Sequence, residues 1–238
     1  MQIALRKFYS GCLRSPNIYR KGEILGKRYM SESSVPKRAF PPLYVSQGTP
    51  SLDRLAFFHI LEKLKTQKRT GWIDFKVPEQ ESIADHMYRM AMFAMCATDK
   101  TLDISKCVML CIVHDLAEAQ VGDITPREGI SKAEKRRLEE EAIHNFVHEM
   151  LHDTPIAQRI DSLWKEYEEQ TSDEAKFVKD LDRFEMASQA FEYERNHNMK
   201  TLQQFFDTSL PFIKHPEVRQ WGEDLAAERE KFYSSQSS

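Results

Sequence analysis

Apolar positions recur at spacings of three and four from about Ser51 to Trp221, the period of helices that bury one face. Ser51 is placed to cap LDRLAFFHILEKLK, with Leu52, Leu55, Ala56, Phe58, His59 and Leu61 around one broad side. A loop, TQKRTGWIDFKVPEQE, is interrupted by Gly71 and Pro78. Ser82 and Asp85 then have the spacing of a capping box for a helix over 83–98. The next helix is expected from Ile104 to Gln120, stopping at Gly122. A charged helix over 131–151, a segment from Pro155 to Glu169 and a long helix over 173–196 follow. Two-residue alternation is nearly absent. The pattern predicts an all-α bundle over residues 51–225, with an extension at 1–50 and a tail at 226–238 whose end, YSSQSS, reads as frayed.

The 238 residues are ample for a sizeable core. A formal charge of −3 gives no global electrostatic case for nucleic-acid binding. No run approaches the roughly 18 apolar residues of a membrane span. Cys12, Cys96, Cys107 and Cys111 form no C-x-x-C pair, and three of them lie in apolar helical patterns. They read as reduced thiols of an intracellular, cytoplasmic protein. The first 22 residues carry Arg6, Lys7, Arg14, Arg20 and Lys21, with no acid before Glu23. Two readings fit that stretch: a disordered basic tail, or a mitochondrial transit segment. Residues 31–50, rich in Ser and Pro, read as a linker or as an arm lying on the domain surface.

Chemistry enters at 110-LCIVHDLAEAQVGDITP-126. His114 and Asp115 stand inside an otherwise apolar stretch, with Glu118 and Asp123 close behind. A buried carboxylate costs several kcal/mol unless it is paired, hydrogen-bonded or bound to a cation. Imidazole and carboxylate together suit divalent metals. His86 falls on the apolar stripe of its helix, formed by Ile83, Met87, Met90, Ala94 and Ala97. A lone histidine there is more often a satisfied core residue, so it gains weight only beside the His-Asp pair. Another ligand is expected from 177-FVKDLDRFE-185, where Asp180 and Asp182 flank the stripe Phe177, Val178, Leu181, Phe184 and Ser188 almost symmetrically. Periodicity does not choose between them. His152–Asp153 repeats the dipeptide at a polar helix end. Together with His144 and His148 it reads as a solvated edge.

The strings 69-RTGW-72, 80-QESIADHMYRMA-91, 112-IVHDLAEAQVGDITP-126 and 180-DLDRFEMASQAFEYE-194 occur in one order. Together they resemble the HD-domain superfamily of metal-dependent phosphohydrolases. The resemblance is greatest to its 5'-deoxynucleotidase branch, the YfbR and HD domain-containing protein 2 family. It covers about residues 52–215 and implies an HD-domain helical bundle with a buried metal site. It implies His86, His114, Asp115 and Asp182 as metal ligands, which selects Asp182 over Asp180. It makes Glu118 and Asp123 catalytic groups, or holders of a second cation with the carbonyl of Ile124. Trp72 matches a tryptophan that packs on the substrate sugar. The bacterial enzymes place an arginine directly before that tryptophan; here Gly71 precedes it, and Arg69 becomes the phosphate clamp. The implied substrate is a deoxyribonucleoside 5'-monophosphate, the metal one of Mn²⁺, Co²⁺, Fe²⁺, Zn²⁺ or Mg²⁺, and the assembly a homodimer, with no nucleic-acid or membrane partner. Rival readings are a cyclic-nucleotide phosphodiesterase, a dNTP triphosphohydrolase, a diiron oxygenase, and a non-catalytic binding module. The last would have lost a ligand, and none is missing.

The two readings of the basic N-terminus separate by import. A tagged chain lacking residues 1–22 is expected to distribute like the full chain if they are a plain tail, and to lose mitochondrial signal if they target it.

Overall fold

The computed structural model describes residues 38–197 and 202–236. The basic stretch 1–22 and Cys12 lie outside them. The fold is all-α, and among the described residues the only β feature is an isolated bridge between Lys68 and Ser82. Helices α1 (Pro50–Ile60), α2 (Glu62–Thr66) and α3 (Thr70–Asp74) lead into α4 (Ile83–Met95), whose Ser82–Asp85 capping box forms as expected. Next come α5 (Ile104–Val113), the short α6 (Glu118–Val121), α7 (Lys132–Asn145) and α8 (Pro155–Glu169). The chain ends with α9 (Asp173–His197), α10 (Gln203–Asp207) and α11 (Pro216–Gln236). Among the described residues no helix is long and apolar enough to cross a membrane.

The core lies where α4, α5 and α9 pack together and α8 closes on α5. Met90 and Ala94 of α4 meet Cys107, Leu110 and Cys111 of α5, Trp164 of α8, and Phe177, Val178 and Leu181 of α9, all buried. A second cluster joins Trp72 and Val77 to Ala187, Ala190, Phe191 and Tyr193 of α9 and to Phe205 and Phe206 of α10. Burying a single such side chain stabilises by about 1.5–3 kcal/mol.

Four elements depart from the periodicity reading. Helix α1 starts at Pro50 after Thr49, because proline is well suited to the first helical position. Its expected apolar face is the exposed one, with Leu52, Leu55 and Phe58 each about half exposed. It buries Asp53 and Phe57 instead. Asp53 is affordable inside because Tyr44 Oη, Ser46 Oγ, the Gln47 amide and His152 Nε2 all lie within 2.9 Å of its carboxylate. The helix expected over 104–120 breaks after Val113. From there the amides of Leu116, Glu118, Ala119 and Gln120 bond three residues back, the tighter 3₁₀ ladder. The helix expected over 131–151 relaxes into a π turn at Phe146–Met150. Residues 226–236, expected as a tail beyond the bundle, continue α11.

The arm reading of the segment before Ser51 matches the described part. Gln120 Nε2 donates to the carbonyls of Pro41 and Pro42, and Asn145 Nδ2 donates to that of Tyr44. At Gly122 the backbone has φ +75° and ψ 168°, a conformation nearly confined to glycine. A Cβ there would also stand 2.4 Å from Arg38 Nη1. Gly122→Ala is therefore expected to lower stability by about 1–3 kcal/mol, read as a lower midpoint in denaturant unfolding with an unchanged slope.

Candidate metal centre

Two imidazoles from two helices face each other, with ring centroids 5.5 Å apart. His114 ends α5, and its Nδ1 lies 2.9 Å from the Cys111 carbonyl. A carbonyl only accepts, so Nδ1 carries the proton and Nε2 presents a lone pair. The His114 ring also rests against Tyr167. His86, fully buried on α4, places Nδ1 2.7 Å from Glu185 Oε2, which fixes its tautomer in the same sense. Both Nε2 atoms are buried without a hydrogen-bond partner.

The acids converge on those two nitrogens. Asp115 Oδ2 is 3.2 Å from His114 Nε2 and 3.8 Å from His86 Nε2. Asp182 Oδ1 is 3.4 Å from His86 Nε2, while its Oδ2 accepts from Lys179 and from the Tyr167 hydroxyl. Ligand atoms of His86, His114 and Asp115 all lie within 4.8 Å of one another. Asp180 goes elsewhere. It accepts from the backbone amides of Lys214 and His215, just before α11, and from Arg183. The geometry thus separates two aspartates that periodicity left equivalent.

The 3₁₀ ladder brings in Glu118. In that ladder residues three apart eclipse, so Glu118 stands over Asp115. Burial and the charges of Asp115 and Asp123 push its pKa well up. Its Oε2 is buried without a partner, and Oε1 is 4.0 Å from Lys135 Nζ. Asp123, just past the Gly122 turn, accepts from the Thr70 amide at 2.7 Å. Ile124 follows with its side chain in the core.

Arg69 is placed by a bond from its amide to the Glu81 carbonyl, and its Nη1 donates to Asp115 at 3.0 Å. Burial works against its charge, yet Asp123, Asp115, Asp182 and Glu118 hold it firmly protonated. Burial pushes Asp115 up, but His114, Arg69 and His86 outweigh it and hold Asp115 well below the usual carboxylate range. For His86, burial and Arg69 lower the pKa, while Glu185 and Asp182 raise it to about 10 on balance. The field that holds a proton at His86 Nε2 is the field that would hold a divalent cation, so proton and metal compete for that atom.

Trp72 is the sequence-predicted residue that the structure keeps from the open face. It is 2% exposed, packed on Phe205 and Tyr193, and its indole N–H donates to Glu81. Burial and the neighbouring Glu185 raise Glu81 to about 7. Sequence reasoning missed Glu81, Lys135, Tyr167, Lys179 and above all Glu185. Glu185 lies on α9, three residues after Asp182 and so on a shared face. It is clamped between His86 and Arg89. His152 and Asp153 stay outside the centre, with His152 on Asp53 and Asp153 on His148.

Two buried imidazole nitrogens without hydrogen-bond partners, set among carboxylates, fit a divalent cation, and the ligand atoms of His86, His114 and Asp115 lie close enough together to share one.

The HD domain model matches residues 61–219. The 5'-deoxynucleotidase hdd1 of Schizosaccharomyces pombe is 43% identical over 190 residues, covering 78% of this chain and 94% of that protein. The 5'-deoxynucleotidase HDDC2 of Homo sapiens is 44% identical over 187 residues, covering 78% of this chain and 90% of that one. A solved structure, HD domain-containing protein YGK1, aligns with a TM-score of 0.61 at 34% identity, over 76% of this chain and 88% of that one. The chain belongs to the HD-domain family. Within that family, the curated relatives it resembles are 5'-deoxynucleotidases.

A carboxylate that orients a ligating histidine typically changes metal affinity 10–100-fold when it is lost. Glu185→Gln is therefore expected to weaken metal binding by about that factor with helix content unchanged, read by metal titration beside circular dichroism.

Proposed function

We propose that the chain is a metal-dependent 5'-deoxynucleotidase, converting deoxyribonucleoside 5'-monophosphates to deoxynucleoside and phosphate. The observation that carries the reading is the pair of unpartnered Nε2 atoms of His86 and His114, set against Asp115 and Asp182 with Arg69 at their side. When bound there, a divalent cation supplies Lewis acidity toward a phosphoryl oxygen and a more acidic water. Mn²⁺, Co²⁺, Fe²⁺, Zn²⁺ and Mg²⁺ all suit mixed imidazole and carboxylate donors.

The chain's own groups cover the remaining tasks. Arg69 binds phosphate with N–H groups not taken by Asp115, its planar fork matching two phosphoryl oxygens. Lys135, partly exposed beside Glu118, adds positive charge on the wall supplied by α7. Glu118 takes a proton from the attacking water and returns it to the 5' oxygen as the P–O bond breaks, a task that suits a carboxyl with a raised pKa. Asp123 orients that water, or with Glu118 and the Ile124 carbonyl holds a second cation. Trp72, through Phe205, Tyr193 and Glu81, shapes the wall on which a sugar would rest. A homodimer, implied by the family resemblance, is the proposed assembly, and solution size measurement tests it.

Phosphate release from a panel of deoxy- and ribonucleoside 5'-monophosphates tests the activity. The protein is stripped of metal and one divalent ion is restored at a time. Release confined to the deoxy series, dependent on metal and lowered at least about 100-fold in His114→Ala, is the expected result. Release that survives in His114→Ala would overturn the assignment. Trp72→Ala is expected to narrow the preference for deoxy over ribo substrates, measured as the ratio of kcat/KM values.

A further inference from the structure

Arg38 lies well upstream of the matched HD domain, in the stretch whose composition reads as linker. Its guanidinium nonetheless reaches the loop that follows α6. Nε and Nη2 donate to the two carboxylate oxygens of Glu128 at 2.7 and 2.8 Å. Nη1 donates to the Val121 carbonyl at 3.0 Å, and Nη2 also donates to the Asp123 carbonyl at 2.8 Å. These four contacts take four of the five N–H donors of the planar guanidinium, a geometry a lysine ammonium on a flexible stem would not match.

What the fork grips is the segment that presents Asp123. The Asp123 carbonyl is shared with the Thr70 hydroxyl, and its carboxylate takes the Thr70 amide. Thr70 adjoins Arg69, so one residue's backbone and side chain tie the catalytic loop to the phosphate-binding loop. Glu128 in turn accepts from the Thr125 amide, closing the turn on the far side. Gly122 leaves room for the approach, since a Cβ there would overlap Arg38 Nη1. The side chains of Arg38 and Glu128 are mostly buried, 24% and 18% exposed, which strengthens the ion pair relative to one at the surface.

We infer that Arg38 is a positioning residue for the reaction: the arm that carries it completes the centre by fixing the Asp123 loop against Thr70. The inference rests on the proposed phosphatase activity, and its structural half is read without that activity. Asp123 is held from outside the four-ligand set, so loss of Arg38 should slow turnover while sparing the His86, His114, Asp115 and Asp182 donors.

The test uses the full chain with Arg38→Met, and Arg38→Lys as a milder variant that keeps stem and charge without the fork. Amide hydrogen exchange is followed at Thr70 and at residues 121–125. Assays are run well below the melting temperature of each variant. The expected result is faster exchange confined to those amides, kcat lower by about tenfold, KM changed by less than about twofold, and unchanged metal affinity. Arg38→Lys is expected to show the same pattern, because the charge alone does not replace the fork. Wild-type kcat in both variants would overturn the inference. So would a loss of kcat accompanied by faster exchange throughout the chain, which marks general destabilisation. If the unmodified protein releases no phosphate from any nucleotide, the activity reading fails, and exchange at Thr70 alone decides whether the clamp exists.

Discussion

A carboxylate taken out of water needs a positive partner or it gives up its charge. Asp115, Glu118, Asp182, Glu185 and Glu81 crowd around two imidazoles, and the surrounding structure is organised by how each is answered. Arg69 answers Asp115, Lys179 answers Asp182, Arg89 answers Glu185 and Lys135 stands near Glu118. These cations come from the α2–α3 connection, α9, α4 and α7, so the charges draw separate parts of the chain to one place. What they leave without a hydrogen-bond partner at the centre is local: Nε2 of His86, Nε2 of His114 and one oxygen of Glu118. Those three atoms mark where a cation adds most.

The two loops beside this centre are held by backbone groups as much as by side chains. The Arg69 loop closes on Glu81 and Ser82 through main-chain bonds, and the Asp123 loop closes on Thr70. Catalytic groups on loops reach useful precision when such bonds remove their freedom. Thr70 serves both loops, so a shift of either changes the distance between Arg69 and Asp123.

Much of this was legible in the sequence, for reasons particular residues make plain. The helical period exposed α4, α8 and α9 because their apolar faces are long and regular, and the Ser82–Asp85 cap marked the start of α4. The His114–Asp115 pair stood out because burial makes such a pair costly. Periodicity failed where a polar residue is the buried one. Asp53 turned α1 over, because four hydrogen bonds outweighed three apolar side chains left half exposed. Glu185 was invisible as a site residue because a charged position in a helix is ordinarily assigned to solvent. The break after Val113 has no local signal, since 104–120 is helix-favouring throughout; it is set by the tertiary demands on His114 and Asp115. Asp180 and Asp182 are symmetric in periodicity, and what separates them in the structure is the pair of amides, Lys214 and His215 just before α11, that Asp180 accepts.

Helix α9 carries three buried acids, Asp180, Glu185 and Glu194, and the half-buried Asp182, with three duties among them. Asp180 holds the entrance of α11, Asp182 and Glu185 serve the histidine centre, and Glu194 pairs with Arg229 near the other end of α11. One residue inserted between Asp182 and Glu185 would rotate all that follows by about 100°. That would take Glu185 off His86 and Glu194 off Arg229 in one step. The helix is therefore a reading frame in three dimensions: its exposed letters are free to vary, while its length between Asp180 and Glu194 is not. Docking of α11 and assembly of the centre therefore depend on one and the same residue count along α9.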